Sequence, residues 1–383
     1  MNLKTYPAQF WLLCLSAFFF FGSFNMILPE LPEFLTNLGG ADYKGLILSL
    51  FTLTAMISRP FSGKLADTIG RVPIMIIGSV VCVICSLIYP ALTSIYGFFV
   101  LRFFHGFSTG FTPTGFTACI ADIVPVERRG EAMGLLSTFG TLGMAGSPAI
   151  GGWISYYYSP NALFYCSSLF GFMAVMIFIA VKETLPNKER FQRHHLKIRR
   201  EDIFERNVLV PCLVMVLTVY SFGALVTLIP DLSDALGMKN RGAIFSGFAS
   251  ASLLVRIAAG KVSDKYGRRP VLYFSTLLIG AAMMLIGLAS KQWMLWAGGI
   301  LYGISYGMNS PTLFAWVTDL SNENNKGRAF GSLYVSLEFG IMIGALVSGF
   351  IFAWLPGNFM LPFGTAALFA ALAFIYLILT KPK

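Results

Sequence analysis

Apolar runs about as long as a membrane is thick alternate with short polar connections along the whole chain. They cover residues 10–29, 44–61, 73–91, 96–118, 131–154 and 161–181, then 207–229, 242–260, 271–289, 293–316, 329–354 and 359–380. A helix needs about 20 apolar residues to cross the hydrocarbon of a bilayer. No stretch shows the ten-residue alternation of a membrane barrel strand, and backbone without internal hydrogen bonds cannot sit in lipid. The pattern predicts an all-α membrane protein of twelve transmembrane helices, six on either side of one polar stretch. The boundaries are 1–181 for the first bundle, 182–206 for a linker and 207–383 for the second bundle.

The two halves share punctuation. Arg59, Gly63, Lys64, Asp67, Gly70, Arg71 and Pro73 recur at a constant offset of 197 as Arg256, Gly260, Lys261, Asp264, Gly267, Arg268 and Pro270. The register holds onward through Gly106/Gly303, Asp122/Asp319, Gly143/Gly340 and Gly152/Gly349. Upstream the offset becomes 201, pairing Glu30 with Asp231 and Glu33 with Asp234, so one early loop differs by four residues. A repeat of this length means one duplicated unit, and the halves are expected to be pseudo-symmetric.

Composition agrees. Hydrophobic residues make up 56% of the chain and charged residues 12%, against roughly 25% charge in soluble domains. The net charge of +10 could suggest nucleic acid, but its distribution argues otherwise. With the N-terminus inside, only Lys44, Lys239, Arg241 and Lys291 fall on external connections, Arg102 lies within a span, and the other basic residues face the cytoplasm. That is the positive-inside pattern, with cations facing anionic lipid. Both termini are expected in the cytoplasm, and the first apolar run reads as a retained helix rather than a cleaved signal. The linker reads as a short amphipathic helix on the inner leaflet.

Enzyme chemistry is not legible. There is no HExxH, no phosphate-binding GxxxxGK[ST] and no GxSxG, so neither a metal nor another cofactor is expected. Cys82 and Cys85 form a CxxC pair without a His or second pair nearby, which suits packing between helices better than redox or metal chemistry.

Gly63-Lys-Leu-Ala-Asp67-Thr-Ile-Gly70-Arg71 closely resembles the loop motif of the major facilitator superfamily, and its second copy runs from Gly260 through Asp264 and Gly267 to Arg268 and Arg269. Thr68 and Val72 replace two usual basic residues in the first copy. The resemblance covers essentially the whole chain. It implies two six-helix bundles around a central cavity that opens to either side in turn. It also implies that Arg71 meets an acid at the inner end of helix four, here Asp122, and that Asp67 faces the N-terminus of helix eleven while the cytoplasmic side is shut. Gating is then the role of Gly63, Asp67, Gly70, Arg71, Asp122, Gly260, Asp264, Gly267 and Arg268, with a rigid topological staple as the rival reading.

Helix five carries Gly134, Gly143, Ser147, Pro148, Gly151 and Gly152, a spacing that resembles the signature of drug:proton antiporters, with Ser147 where a glycine is usual. Arg102-Phe-Phe-His105-Gly106 resembles the family motif RxxQG, with His105 in place of glutamine. Arg102 starts about 6 Å below the outer end of its helix, so it is either functional or snorkels to the interface.

Glu338 lies deep in helix eleven opposite Thr141 in the repeat, and Glu30 ends helix one at about the depth of Arg102. Glu338, Glu30, Arg102 and His105 are therefore the proton-coupling candidates, with Glu338 foremost as an unpaired carboxylate and Glu30 as a partner for Arg102. Asn25, Thr112, Tyr220 and Asn309 are candidate cavity residues; the mostly uncharged walls suggest neutral or amphiphilic cargo. The expected protein is a proton-coupled exporter of small organic molecules by alternating access, in a bacterial cytoplasmic membrane, monomeric, with protons and lipid as its other partners and no nucleic acid. The alternative within transport is an importer or uniporter of a small solute such as a sugar or carboxylate. A receptor or membrane enzyme is the rival of another class.

Overall fold

The computed structural model describes residues 6–125, 128–196, 204–321 and 326–380, and among these there is no β-strand. The first half contains α1 (Ala8–Ile27), α2 (Leu31–Asn37), α3 (Lys44–Thr68), α4 (Arg71–Ile88), α5 (Ile95–His105), α6 (Phe107–Ile123), α7 (Arg129–Tyr157) and α8 (Pro160–Ala180). The second contains α9 (Leu209–Ala235), α10 (Gly242–Tyr266), α11 (Arg268–Gly287), α12 (Gln292–Leu320), α13 (Lys326–Trp354) and α14 (Met360–Leu379). Eight of these, alone or with the short turn beside them, are long and apolar enough to cross a membrane. The exceptions are the seven-residue α2, which is too short, and α5/α6, α7, α10 and α12, whose Gly, Ser, Thr and Tyr content fits helices that pack on other helices.

The fourth apolar run is split at Gly106. The hitch is small, because Gly106 keeps a helical backbone and its carbonyl still accepts from the Gly110 N–H at 3.3 Å. At Gly70 and Gly267 the chain turns sharply between α3 and α4 and between α10 and α11. Their φ values of +129° and +90° are open to glycine and strained for other residues. Glu183 then caps α4, accepting from the Arg71 and Val72 backbone N–H groups at 3.0 and 3.2 Å. These are two of the donors a helix start leaves unsatisfied.

Helices α1, α3, α4, α6, α7 and α8 pack among themselves, as do α9 to α14. The two groups meet along two seams, α3 against α13 and α7 against α10. The repeat offset of 197 carries α3 onto α10 and α7 onto α13, so the seams are counterparts.

No α-helix forms among the described residues of the linker, 182–196 and 204–206; the rest of the amphipathic helix expected there lies outside the described residues. Short 3-10 turns occupy Arg193–Leu196 and Arg206–Val208. The reason is local docking: the Glu189 N–H donates to the Thr68 carbonyl at 2.9 Å, and Glu205 pairs with Arg328 at 3.0 Å. Backbone held by bonds to helix ends is not free to form its own ladder.

Candidate functional site

At the end carrying the two loop motifs, each copy builds the same ion-pair fork. Arg71 donates from Nε to Asp122 at 3.1 Å and from Nη1 to Asp67 at 2.6 Å. Arg268 donates from Nε to Asp319 at 2.8 Å and pairs with Asp264. Asp67 and Asp264 are themselves 73% and 69% exposed, and among the described residues neither is paired across the seams in this conformation. Gly63, Gly134 and Gly331 likewise have open space where a side chain would stand. Of Gly260 nothing more follows than its place in α10. The halves stand apart at this end.

The opposite end is shut. A Cβ at Gly242 of α10 would run into the Pro148 carbonyl of α7, and one at Gly152 would run into the Asn240 side chain. Gly45 at the start of α3 abuts the Ala345 carbonyl and Leu346 of α13, and Gly349 of α13 abuts Gly45 in turn. Crossed ion pairs reinforce the closure. Lys44 pairs with Asp231, while Arg241 pairs with Glu33 and Asp234 and reaches Glu30 at 3.4 Å. Lys44 and Arg241 are repeat mates, so each half offers a cation to the other's acids. Burial raises the pKa of Glu30 above its ordinary value, opposed by the Arg241 charge and by a hydrogen bond from Ser155 at 3.0 Å.

Glu30 therefore does not meet Arg102. The Arg102 side chain turns into its own bundle, where Nε donates to the Ile47 carbonyl at 2.7 Å and the guanidinium lies 4.3 Å from the Phe51 ring centre. Its Nη1 is 3.4 Å from both the Tyr89 hydroxyl and His105 Nδ1. Arg102 and His105 are fully buried, which rules out snorkelling. No carboxylate among the described residues pairs with Arg102, and its Nη2 is buried without a partner. His105 also contacts Cys82 Sγ at 3.3 Å, so Cys82 is a packing residue of this cluster.

Midway between the ends lies the contact that spans the α3/α13 seam. Arg59 Nη2 donates to Glu338 Oε1 at 2.6 Å, with Glu338 only 7% exposed. The same guanidinium stands 4.5 Å over the Tyr334 ring. Glu338 is thus not the unpaired carboxylate expected from its own helix, because its counter-ion comes from the other half. In the counterpart seam Arg256 Nη1 donates to Ser137 Oγ at 3.0 Å, and its Nε is buried without a partner.

The helix-five motif is a packing device. Gly143 and Gly151 let α7 approach the Phe18 and Met26 carbonyls of α1, while Pro148 and Gly152 face α10. The Ser147 hydroxyl is buried there without a hydrogen-bond partner. Of the cavity candidates, only Asn25 lines space between the halves. It borders a cavity of about 20 Å³, enough for a water, with Met144, Pro148, Phe222, Phe245 and Phe248. Thr112 bonds to the Met75 carbonyl at 3.2 Å within the first bundle. Tyr220 stacks on Phe369, and Asn309 bonds to Thr218 and Ser275. Thr112 and Asn309 turn inward because small polar side chains satisfy one another within a bundle at less cost than facing lipid, and Tyr220 does so with its ring on Phe369 and its hydroxyl 3.2 Å from Thr365 Oγ1.

Arg59 and Arg256 carry the seams; the charge pattern placed them with the cytoplasmic cations, although they fall inside the runs 44–61 and 242–260. The available signal was an in-span cation, one turn before each motif glycine, duplicated at the repeat offset.

Comparison with known proteins bears on the whole chain. The Major Facilitator Superfamily model matches residues 13–255 and 211–383. The chain is 27% identical over 348 residues to the multi-drug resistance efflux pump PmrA of Streptococcus pneumoniae, covering 85% of this chain and 86% of that one. It is 26% identical over 369 residues to the multidrug resistance protein MdtG of Salmonella typhi, covering 92% and 90%. In fold it resembles the crystal structure of the human organic anion transporter MFSD10, with a TM-score of 0.74 at 19% identity, covering 97% of this chain and all of that one. The chain belongs to the major facilitator superfamily of membrane transporters.

Proposed function

We propose that this protein is a proton-coupled exporter of small organic molecules. Two six-helix halves, 1–181 and 207–383, rock about a central site in a bacterial cytoplasmic membrane, with the loop motifs and both termini in the cytoplasm and the chain acting as a monomer. The names of its relatives support export. One observation supports proton coupling: the ion pair of Arg59 and Glu338 across the α3/α13 seam.

A buried ion pair is held by its geometry, and removing either partner leaves a costly lone charge. In the outer-closed form Glu338 is ionised against Arg59 and cargo enters from the cytoplasm. As the outer side opens, the halves part along α3/α13 and Arg59 withdraws. The carboxylate then takes a proton from external water, since hydrocarbon penalises its charged form. Return of the halves brings Arg59 back and displaces the proton toward the cytoplasm. The cycle exchanges one proton inward for one cargo molecule outward, driven by a two-state equilibrium that both ligands bias.

The test is uptake of an amphiphile panel into everted membrane vesicles. Uptake that appears with an imposed proton gradient and collapses with an uncoupler is the expected result. Uptake that follows the cargo gradient alone and ignores the uncoupler would establish a uniporter instead.

A further inference from the structure

The two seams are counterparts in everything except charge. Across α3/α13, Arg59 pairs with Glu338 and lies over Tyr334. Moved by the offset of 197, these three become Arg256, Thr141 and Ser137. The arginine remains, but its carboxylate has become a threonine and its aromatic ring a serine. Thr141 spends its hydroxyl on the Ser137 carbonyl at 2.8 Å, leaving one Arg256 nitrogen bonded to the Ser137 hydroxyl. Nε of Arg256 is buried with no partner, as is Nε of Arg59, so what sets Arg256 apart is that no carboxylate among the described residues pairs with it. A guanidinium has five N–H donors and cannot be neutralised, so this is a cation within a membrane span lacking its counter-ion.

We infer that Arg256 is the anion-binding residue of the transport site, and that the exported molecule is an amphiphilic organic carboxylate whose carboxylate stands to Arg256 as Glu338 stands to Arg59. This rests on the exporter reading and names its substrate class. With Thr141 and Ser137 where the α3/α13 seam has Glu338 and Tyr334, the α7/α10 seam carries neither the carboxylate nor the ring of its counterpart. The apolar end has a direction too. The cavity lined by Met144, Phe245 and Phe248 extends to Ala249, seven residues from Arg256 along α10, or about 10 Å at 1.5 Å per residue. A planar carboxylate matches the guanidinium fork bidentately. The uncharged walls that suggested neutral cargo describe where the body of such a molecule lies.

The test is equilibrium binding of 2-naphthoate and its methyl ester to the purified full-length protein in detergent, where no gradient acts. The wild type should prefer the acid by at least about tenfold, a difference an unpaired buried polar group can impose. Arg256→Gln should reduce the acid-to-ester ratio to near one, and Arg256→Lys should retain part of it. Thr141→Glu supplies the missing carboxylate from within the chain. It should abolish the preference while leaving the thermal unfolding temperature unchanged or raised, which separates loss of the site from loss of the fold. An unchanged ratio in Arg256→Gln, or equal binding of acid and ester by the wild type, overturns the assignment. Arg256-dependent binding without gradient-driven vesicle uptake would leave it standing and remove the proton-driven exporter reading. Gradient-driven uptake without Arg256-dependent preference would do the reverse.

Discussion

Arg241 Nη1 lies 3.4 Å from Glu30 Oε2, an interaction that crosses from the second half of the chain to the first at the shut end of the molecule. Because burial raises the pKa of Glu30 in this closed arrangement, the closed state binds a proton more tightly than a state in which Glu30 faces water. The sign follows. The Glu30 contribution to closure is fully present below the ordinary carboxylate pKa and is lost as pH rises through the raised value. Arg241, Glu33, Asp234 and Ser155 are the groups that set that value. In a protein with a single cysteine at position 25, thiol labelling from outside should slow as external pH falls across this window, and Glu30→Gln should flatten the profile. Labelling that quickens in acid would mean that the Arg241 attraction outweighs the burial.

Separating Arg59 from Glu338 should destabilise the protein by about 3–5 kcal/mol, the usual cost of a lone buried charge. Glu338→Gln is therefore expected to lower the unfolding temperature and to stop proton exchange on cargo addition. Replacing both residues with leucine should recover most of the unfolding temperature and none of the proton exchange. Recovery of neither would place Glu338 in a wider network than this one pair.

Two glycines should respond differently to the same substitution. Gly143 packs α7 on α1 within one bundle, whereas Gly242 packs α10 on α7 between the bundles. Alanine at Gly143 should cost stability outright, by about 1–3 kcal/mol for an overpacked contact. Alanine at Gly242 should instead penalise only the outer-closed state, increasing outside labelling at position 25 while the unfolding temperature changes little. Equal loss of unfolding temperature in both variants would show that the α7/α10 contact persists throughout the cycle.

Asp67 is exposed here and paired with Arg71 alone, while Arg71 also holds Asp122. The family resemblance implies a contact between Asp67 and the start of α13 in the opposite conformation, worth about 0.3–1 kcal/mol at an exposed helix N-terminus. Asp67→Asn should therefore speed labelling of a cysteine at position 63 from the cytoplasmic side by roughly two- to fivefold. An unchanged rate would reduce Asp67 to a partner of Arg71.

Much of the fold was legible because lipid constrains sequence so heavily. The predicted run 161–181 became Pro160–Ala180 and 359–380 became Met360–Leu379, since a span must be apolar over a fixed length. In the described part of the linker no α-helix forms, and its ordering comes from Thr68 and Arg328, which no local pattern records. Tyr220 and Asn309 were misplaced for a related reason. A helix facing both cavity and neighbour carries polar residues on each side, and sequence does not say which face turns inward.

The sequence by itself determined the apolar spans, the loop motifs and the in-span charges that mark a transporter, because each is a property of residues close together in the chain, and the duplication, because the same local pattern recurs at a fixed offset. Only the tertiary structure decided which charges meet. Glu30 found Arg241 rather than Arg102, Glu338 found Arg59, and Arg256 was left without an acid. The physical reason is that an ion pair acts over a few ångströms in space, and Arg59 comes within that range of Glu338, 279 residues away, only when the two halves close on one another.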